Sequence, residues 1–241
     1  MKKNLILLIL CAALFSGCVT VNPLIETGFN HALTFKAEHE ELNGMPNPHN
    51  PALSFINMDV REDNPFKYAE WEEIIEKLEG GTGIIYLGFP NCPWCRNLVP
   101  VLTEAAMSLG ITDILYRDTL ADRNILTLSD GNITETRAGH PGYYRVLEIL
   151  GDLAPAYAGL NDESFRRVYA PTVLFVGNGE VVGYLESLPT FMERAMQDEL
   201  GAWQPMTDEE VAELREIIRN YIRSAYAVSP DDPHDNACPL C

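Results

Sequence analysis

Apolar and polar positions along this chain follow two periods, one typical of strands and one of helices. Short apolar runs predict five strands, at residues 54–60, 83–87, 112–117, 172–176 and 180–185. Apolar residues three and four positions apart predict five helices, at about 33–42, 71–78, 98–109, 143–150 and 207–225. Strand and helix patterns therefore alternate between residues 54 and 117, and a strand pair precedes the last helix.

Prolines, glycines and capping residues indicate where these elements end. Three prolines between Met45 and Pro51 predict a loop. Pro100 predicts a kink in the third helix, because proline lacks the N–H and clashes with the preceding turn. Asn178-Gly179 predicts a tight hairpin turn. Thr207 and Glu210 have the spacing of a capping box and predict the start of the last helix.

Two cysteines, Cys92 and Cys95, lie between the apolar run 83–87 and the third helix. This order places both thiols at a helix N-terminus, where unpaired N–H groups and the helix dipole favour a thiolate. A Cys-x-x-Cys pair can also be half of a zinc site or a structural disulfide, but the strand-then-helix context favours redox chemistry. We therefore expect Cys92 to be an exposed attacking thiolate with a lowered pKa, and Cys95 to be the resolving thiol.

The N-terminus has the features of an export signal. Two lysines precede an apolar run over residues 5–15, which is too short to span a bilayer. The following Ser16-Gly17-Cys18 resembles a bacterial lipobox, so residues 1–17 are predicted to be removed as a signal peptide, together with Cys11. Cys18 would then carry the lipid, which predicts an extracytoplasmic chain anchored to the cell membrane. The alternative is an ordinary secretory signal cleaved nearby.

The net charge of the chain excludes some classes of binding partner. The chain has 35 acidic and 17 basic residues, a formal net charge of −18 at pH 7. Nucleic acid is not an expected partner, because binding phosphates requires a basic surface. An anionic membrane surface would repel the chain as well. Membrane attachment is therefore expected to come from the lipid on Cys18.

The cysteine motif and two later segments together resemble the thioredoxin fold. They are the run from Ile84 to Cys95, the run Tyr169-Ala170-Pro171-Thr172 with its strand, and the hairpin around Gly177-Asn178-Gly179. They span roughly residues 66–188. The resemblance implies an α/β fold with a central mixed sheet flanked by helices. It also implies that Pro171 is cis and lies beside the cysteines.

The chain is predicted to divide into four parts, of which the signal peptide at residues 1–17 is the first. Residues 18–64 would form the tether and an N-terminal extension, and residues 65–201 the thioredoxin-like domain. A helical insertion is expected at about 118–168. Residues 202–241 would form a C-terminal helix and a Cys-x-x-Cys tail.

The motif and its surroundings are most similar to the exported thioredoxin-like proteins of Gram-positive bacteria, some of them called bacteriocin transport accessory proteins. The resemblance implies disulfide exchange with exported proteins or peptides and with a redox partner protein. No cofactor beyond the redox-active disulfide is expected. Trp94, Ala170 and Pro171 would contact the substrate. The alternative is a non-catalytic accessory module that holds peptide for an export system.

The chain also departs from the thioredoxin pattern. Asn91 replaces the tryptophan before the first cysteine, and Tyr86 replaces a buried acid that shuttles a proton. Tyr86 is interpreted either as a replacement for that acid or as an ordinary core residue. Thioredoxin-fold enzymes have potentials from about −270 to −120 mV, so the motif leaves the direction of electron flow open.

Two residues inside the motif have alternative interpretations. Trp94 is expected to be an exposed apolar contact for partner peptides, or else to be covered by the segment 118–168. Arg96 could stabilise the Cys92 thiolate, or it could be a solvated surface arginine. Both questions depend on the tertiary structure.

Cys238 and Cys241 form a second Cys-x-x-Cys at the tail. They could be a second redox pair that exchanges with Cys92–Cys95, or a small disulfide without a redox role. A zinc site made by all four cysteines has the right ligand count, but the 143-residue separation does not favour it.

Other residues that could bind metal show no suitable spacing. The five histidines have no ligand pattern, and Asp130-Gly131-Asn132 reads as a turn because the later glutamate of a calcium loop is missing. No metal site is predicted.

Overall fold

The computed structural model describes residues 29–227, in which helices lie on both faces of a five-stranded mixed sheet. The strands are β1 Pro46–Asn47, β2 Asn50–Ser54, β3 Phe66–Tyr68, β4 Gly83–Gly88, β5 Ile114–Asp118, β6 Ile125–Ser129, β7 Asn132–Arg137, β8 Thr172–Gly177 and β9 Glu180–Leu185. The helices are α1 His31–Glu40, α2 Trp71–Gly80, α3 Pro93–Ser108, α4 Pro141–Leu150, α5 Pro189–Gln197 and α6 Asp208–Ala225. The expected α/β class is confirmed.

The central sheet has the strand order β3-β5-β4-β8-β9. β3 and β4 both run parallel to β5, whereas β8 runs antiparallel to β4 and to β9. All six residues of β4 are buried. A strand covered on both faces is apolar throughout rather than alternating, which explains the uninterrupted run Ile84-Ile85-Tyr86-Leu87.

Each face of the sheet has its own apolar core. Ile84 and Tyr86 point to the face covered by α1, α3 and α6, and Ile85 and Leu87 point to the face covered by α2 and α4. This division follows from the two-residue period of a strand. Phe35 of α1 belongs to the first core, so the N-terminal segment from residue 31 packs on the same core as the cysteine helix.

The prediction of a loop at 45–51 and a strand at 54–60 is wrong in both parts. β1 and β2 form a short, largely exposed hairpin that contains Pro46 and Pro51, which such an edge tolerates. Residues 55–60 are not a strand; side chains bind their backbone instead. Asn43 pairs with the N–H and the carbonyl of Met58 at 2.9 and 2.8 Å, and Glu40 accepts the N–H of Val60 at 2.7 Å.

The segment 118–168 contains more than the predicted helix, α4. It also holds the hairpin β6–β7, which the sequence analysis missed although β6 contains Ile125, Leu126 and Leu128; its residues are mostly exposed. A further helix, α5, was missed between residues 189 and 197, where the sequence predicted only a connection. Phe191 and Ala195 are its buried residues, too few to make a pattern in nine positions.

Most other elements agree with the sequence predictions. Asn178 and Gly179 both have positive φ, 52° and 80°, as expected for the hairpin turn between β8 and β9. The capping box of α6 is present, with Thr207 and Glu210 each accepting the other's backbone N–H. Leu109 caps α3, and Gly110 with φ 74° follows it. Within residues 29–227 no helix is both long and apolar enough to cross a membrane.

Candidate redox-active site

The turn from β4 into α3 places both cysteines of the motif. Cys92 is the N-cap of α3, and Pro93 occupies the first helical position, where its fixed φ suits a helix start. The Cys95 N–H donates to the Cys92 sulfur at 3.2 Å. The cap residue of this helix is therefore a thiol, and one of the free N–H groups of the first turn points at its sulfur.

The segment before β8, the strand next to β4, reaches the same point. The Ala170–Pro171 peptide bond is cis, as the resemblance implied. The Cys92 thiol donates to the Ala170 carbonyl at 3.3 Å. β8 pairs with β4 from Thr172 opposite Leu87, which brings Pro171 level with the cysteine turn. The structure thus brings together Cys92, Cys95, Ala170 and Pro171, which are 75 or more residues apart in two groups.

One expectation about this contact is wrong. Cys92 was expected to be exposed, but it is only 4% exposed, and Cys95 is fully buried. The Ala170 carbonyl accepts the Cys92 thiol, so the Ala170–Pro171 segment contacts the sulfur directly. Contact of Ala170 and Pro171 with a substrate stays a prediction.

The two thiols differ in acidity. Burial by itself raises the pKa of Cys92, but hydrogen bonds from Cys95 and Trp94 and the charge of Arg123 together bring the pKa below its ordinary value. Burial raises the pKa of Cys95 well above its ordinary value, and the hydrogen bond to Cys92 and the Cys92 charge raise it further. This asymmetry is the one predicted for an attacking and a resolving thiol.

Tyr86 occupies the position where thioredoxin has a buried acid. It is fully buried in the first core and stacks on Tyr116, with ring centroids 5.3 Å apart. Its hydroxyl makes no hydrogen bond of good geometry within residues 29–227. Burial raises the pKa of Tyr86 well above its ordinary value, and the nearby Cys95 charge raises it further. Tyr86 is therefore a core residue, as the second interpretation has it, and its neutral hydroxyl lies close to Cys95. A role in place of the buried acid stays a prediction.

Trp94 is covered, but by an element that the sequence did not predict. Its ring meets Phe191 of α5 edge-on, with centroids 5.2 Å apart. The ring is partly buried and packs against the first core. The ring is therefore only partly exposed, and the residue that covers it lies outside residues 118–168. Contact of Trp94 with partner peptides stays a prediction.

Arg96 is neither a surface residue nor a partner of the Cys92 thiolate. Its side chain is buried, and its guanidinium donates to four oxygen atoms. They are the carbonyls of Ile56 at 2.8 Å, His39 at 2.8 Å and Pro90 at 3.1 Å, and Asn43 Oδ1 at 2.5 Å. Burial lowers the pKa of Arg96 to about 10, so it stays charged at neutral pH. Arg96 binds the segment 39–56 to the cysteine helix.

Sequence reasoning missed Arg123. Its guanidinium carbon lies 4.9 Å from the centroid of the Phe89 ring, and Phe89 is three residues before Cys92. Its Nε is buried without a hydrogen-bond partner. Burial lowers the pKa of Arg123, and the charge of nearby Arg167 lowers it further. Both arginines lie in the segment 118–168, and only the tertiary structure brings them to the cysteines.

Other predicted site residues lie outside the description. Cys18, Cys238 and Cys241 are not among residues 29–227, so their predicted roles stay predictions. Cys92 and Cys95 are free thiols. No group of three or more His, Cys, Asp or Glu side chains that could hold a metal ion occurs in the described part of the chain.

Comparisons of the chain with protein-family models, with curated proteins and with solved structures found no match. The functional interpretation therefore rests on the chain's own residues and geometry.

Proposed function

We propose that this protein is a thiol–disulfide oxidoreductase of thioredoxin-like fold. The contact between the Cys92 sulfur and the Ala170 carbonyl beside cis-Pro171 carries the proposal. It joins a helix-capping thiol of lowered pKa, a second thiol of raised pKa and a backbone segment that can pair with an extended peptide. The order of the sheet, β3-β5-β4-β8-β9, is compatible with that fold.

The proposed reaction is two successive thiol–disulfide exchanges. The Cys92 thiolate attacks one sulfur of a substrate disulfide; that S–S bond breaks, and the other substrate sulfur leaves as a thiolate and takes a proton. The Cys95 thiol then loses its proton and attacks the Cys92 sulfur, which releases the second substrate sulfur. Two electrons pass from the cysteine pair to the substrate, and the reverse sequence oxidises a substrate dithiol.

The low exposure of Cys92 limits the shape of the substrates that can reach it. A cysteine that is 4% exposed is reached by a narrow segment rather than by a flat protein surface. An incoming extended peptide would replace the Cys92 thiol as the partner of the Ala170 carbonyl. The same step would leave Cys92 free to ionise. Exported proteins or peptides with accessible disulfides are the proposed substrates, and a separate redox protein would restore the pair.

The test is reduction of a model disulfide substrate, insulin, with dithiothreitol as the reductant. The chain should carry Cys238→Ser and Cys241→Ser, so that only the Cys92–Cys95 pair contributes. We expect Cys92→Ser in this background to abolish the rate above dithiothreitol alone, and Cys95→Ser to trap a mixed disulfide through Cys92. Equal rates with and without Cys92 would reject the enzyme and favour the alternative of a non-catalytic accessory module. The low exposure of Cys92 is the observation that favours the accessory module.

The direction of electron flow follows from the reduction potential of the pair. Equilibration against glutathione buffers measures this potential. A value near −270 mV would make the protein a reductant, and a value near −120 mV an oxidant, on the scale of about −270 to −120 mV for this fold.

We further propose that the chain acts outside the cytoplasm on a lipid anchor at Cys18. This proposal rests on the N-terminal sequence alone. Replacing Cys18 with Ser in the native host should move the protein from the membrane fraction to the medium. Retention in the membrane fraction would contradict the lipid anchor.

A further inference from the structure

Two arginines near the cysteines form no ion pair within 4 Å in the part of the chain that the structure describes, although the chain carries 35 acidic residues. Seven other arginines of the described region form ion pairs with carboxylates. Arg96, Arg137 and Arg223 donate hydrogen bonds to other oxygen atoms. Among the arginines of residues 29–227, only the side chains of Arg123 and Arg167 make neither contact; both lie over aromatic rings, and the charge of Arg123 also opposes the rise in the pKa of Asp118 that burial causes. Two guanidinium groups that pair with no described carboxylate therefore lie near the redox site of an acidic protein.

The rings that hold these arginines flank the redox site. Arg123 lies over Phe89, whose carbonyl accepts the N–H of Cys92 at 3.2 Å. Arg167 lies over Tyr157 and Tyr169, at 4.4 and 5.7 Å from the ring centroids. Tyr169 directly precedes Ala170, whose carbonyl binds the Cys92 sulfur. Arg123 therefore lies next to the turn that carries Cys92, and Arg167 lies next to the segment whose carbonyl contacts the Cys92 sulfur.

A complementary sequence exists in the same chain. The tail, residues 228–241, contains three aspartates and no lysine or arginine. Asp231, Asp232 and Asp235 come directly before Cys238 and Cys241. Acidic residues and a dithiol therefore lie in one short segment, and its charge is opposite to that of the two arginines.

The tail is long enough to reach the site. The carbonyl of Ala225, at the end of α6, lies against Gly177, the last residue of β8. The cysteines lie at the other end of β8, a distance of about 20 Å for a six-residue strand. The eleven residues from Val228 to Cys238 span up to about 36 Å when extended.

We propose that the acidic tail docks on Arg123 and Arg167 and presents Cys238 and Cys241 to Cys92 as an internal substrate. This inference rests on the proposed function, since it uses the same exchange chemistry. The Cys92 thiolate attacks a sulfur of the Cys238–Cys241 disulfide, whose bond breaks and releases the other tail sulfur as a thiolate. Cys95 then attacks Cys92 and releases the tail. The cysteine pair ends as a disulfide and the tail as a dithiol, with no external oxidant or reductant.

The test is trapping of the mixed disulfide in the exported chain. Cys95→Ser and Cys241→Ser leave Cys92 and Cys238 as the remaining partners, and peptide mapping measures the rate at which they cross-link under a mild oxidant. We expect an intramolecular Cys92–Cys238 bond. Arg123→Gln with Arg167→Gln should slow its formation about tenfold, and so should replacing the three aspartates by asparagine. Salt at 1 M should slow the parent chain toward the variants' rate and leave the variants nearly unchanged.

A matched control is Arg61→Gln, which removes an exposed arginine paired with Asp63. It should leave the cross-linking rate unchanged. Equal rates in the parent and both charge variants would overturn the docking, and so would a cross-link that forms only between two copies. Insulin reduction by the Cys238→Ser, Cys241→Ser chain, measured in parallel, separates the two proposals. If that chain reduces insulin but the Cys95→Ser, Cys241→Ser chain forms no Cys92–Cys238 cross-link, the enzyme proposal is supported and the internal substrate is rejected.

Discussion

Arg96 and Arg123 both contact the turn that precedes Cys92, and neither has a carboxylate within 4 Å in the described region. Arg96 is buried and donates to four oxygen atoms from the segment 39–56 and the turn at Pro90. Arg123 is half-buried, lies on Phe89 and leaves its Nε without a partner. The comparison shows that two arginines at one turn can differ in role: hydrogen bonds tie Arg96 into the fold, whereas Arg123 keeps a donor without an acceptor among the described residues. What distinguishes them is the supply of acceptors, not the residue type.

The largest effect should come from Arg96. We expect Arg96→Met to lower the free energy of unfolding by about 3 kcal/mol or more, because it leaves several buried oxygen acceptors without donors. Urea denaturation measures this loss. Arg123→Met is the matched comparison and should change the unfolding free energy by less than about 1 kcal/mol. Similar losses in both variants would remove the distinction between the two arginines.

His39 allows the stability of the region around Arg96 to be tested by changing the pH. Burial, and to a lesser extent the neighbouring Arg96 charge, lowers the pKa of His39 to about 4. An unfolded histidine has a pKa of about 6.5, so the unfolded chain binds the extra proton between these values. Stability is therefore complete above about pH 6.5 and falls as the pH drops toward 4, by about 3 kcal/mol at most from this group.

The measurement is urea denaturation at several pH values between 4 and 7. His39→Gln cannot titrate, so its stability should fall less over the same range, whatever its stability at pH 7. Parallel pH profiles for the two chains would show that His39 is not the group responsible.

Arg123 should affect the pKa of the Cys92 thiol more than it affects the free energy of unfolding. We expect Arg123→Met to raise the pKa of Cys92 by less than about one unit, because the variant removes a cation that stabilises the thiolate. The thiolate absorbance near 240 nm, followed against pH, measures the shift. Arg123→Lys should restore the lower value in part. A Cys92 pKa unaffected by Arg123→Met would place the charge too far from the sulfur to act on it.

Tyr86 lies near Cys95, and its substitution should have the smallest effect. Tyr86→Phe keeps the buried ring and removes a hydroxyl that has no good hydrogen-bond partner, so stability should be nearly unchanged or slightly higher. The same change removes a neighbour that favours the Cys95 thiolate. Release of a trapped Cys92 mixed disulfide should therefore slow severalfold, as measured by rapid quenching. Unaltered release would assign Tyr86 to the core alone.

The local sequence determined the elements that carry the cysteines. The fully buried strand β4, the N-cap at Cys92, the hairpin at Asn178-Gly179 and the capping box at Thr207 all depend on neighbouring residues, whose periodicity and turn preferences are visible in the chain. The same logic failed for residues 54–60. There Asn43 and Glu40 satisfy the backbone in place of a strand partner, and apolar spacing contains no information about such side chains.

Tertiary structure alone decided what surrounds the sulfurs. Ala170 covers Cys92, Phe191 covers Trp94, Arg96 binds the segment 39–56, and Arg123 lies over Phe89. Each of these contacts joins residues at least 34 positions apart, and none follows from spacing along the chain. The sequence could therefore determine which thiols lie at the helix start. The exposure and acidity of those thiols depend on burial and nearby charges, which exist only once distant segments pack together.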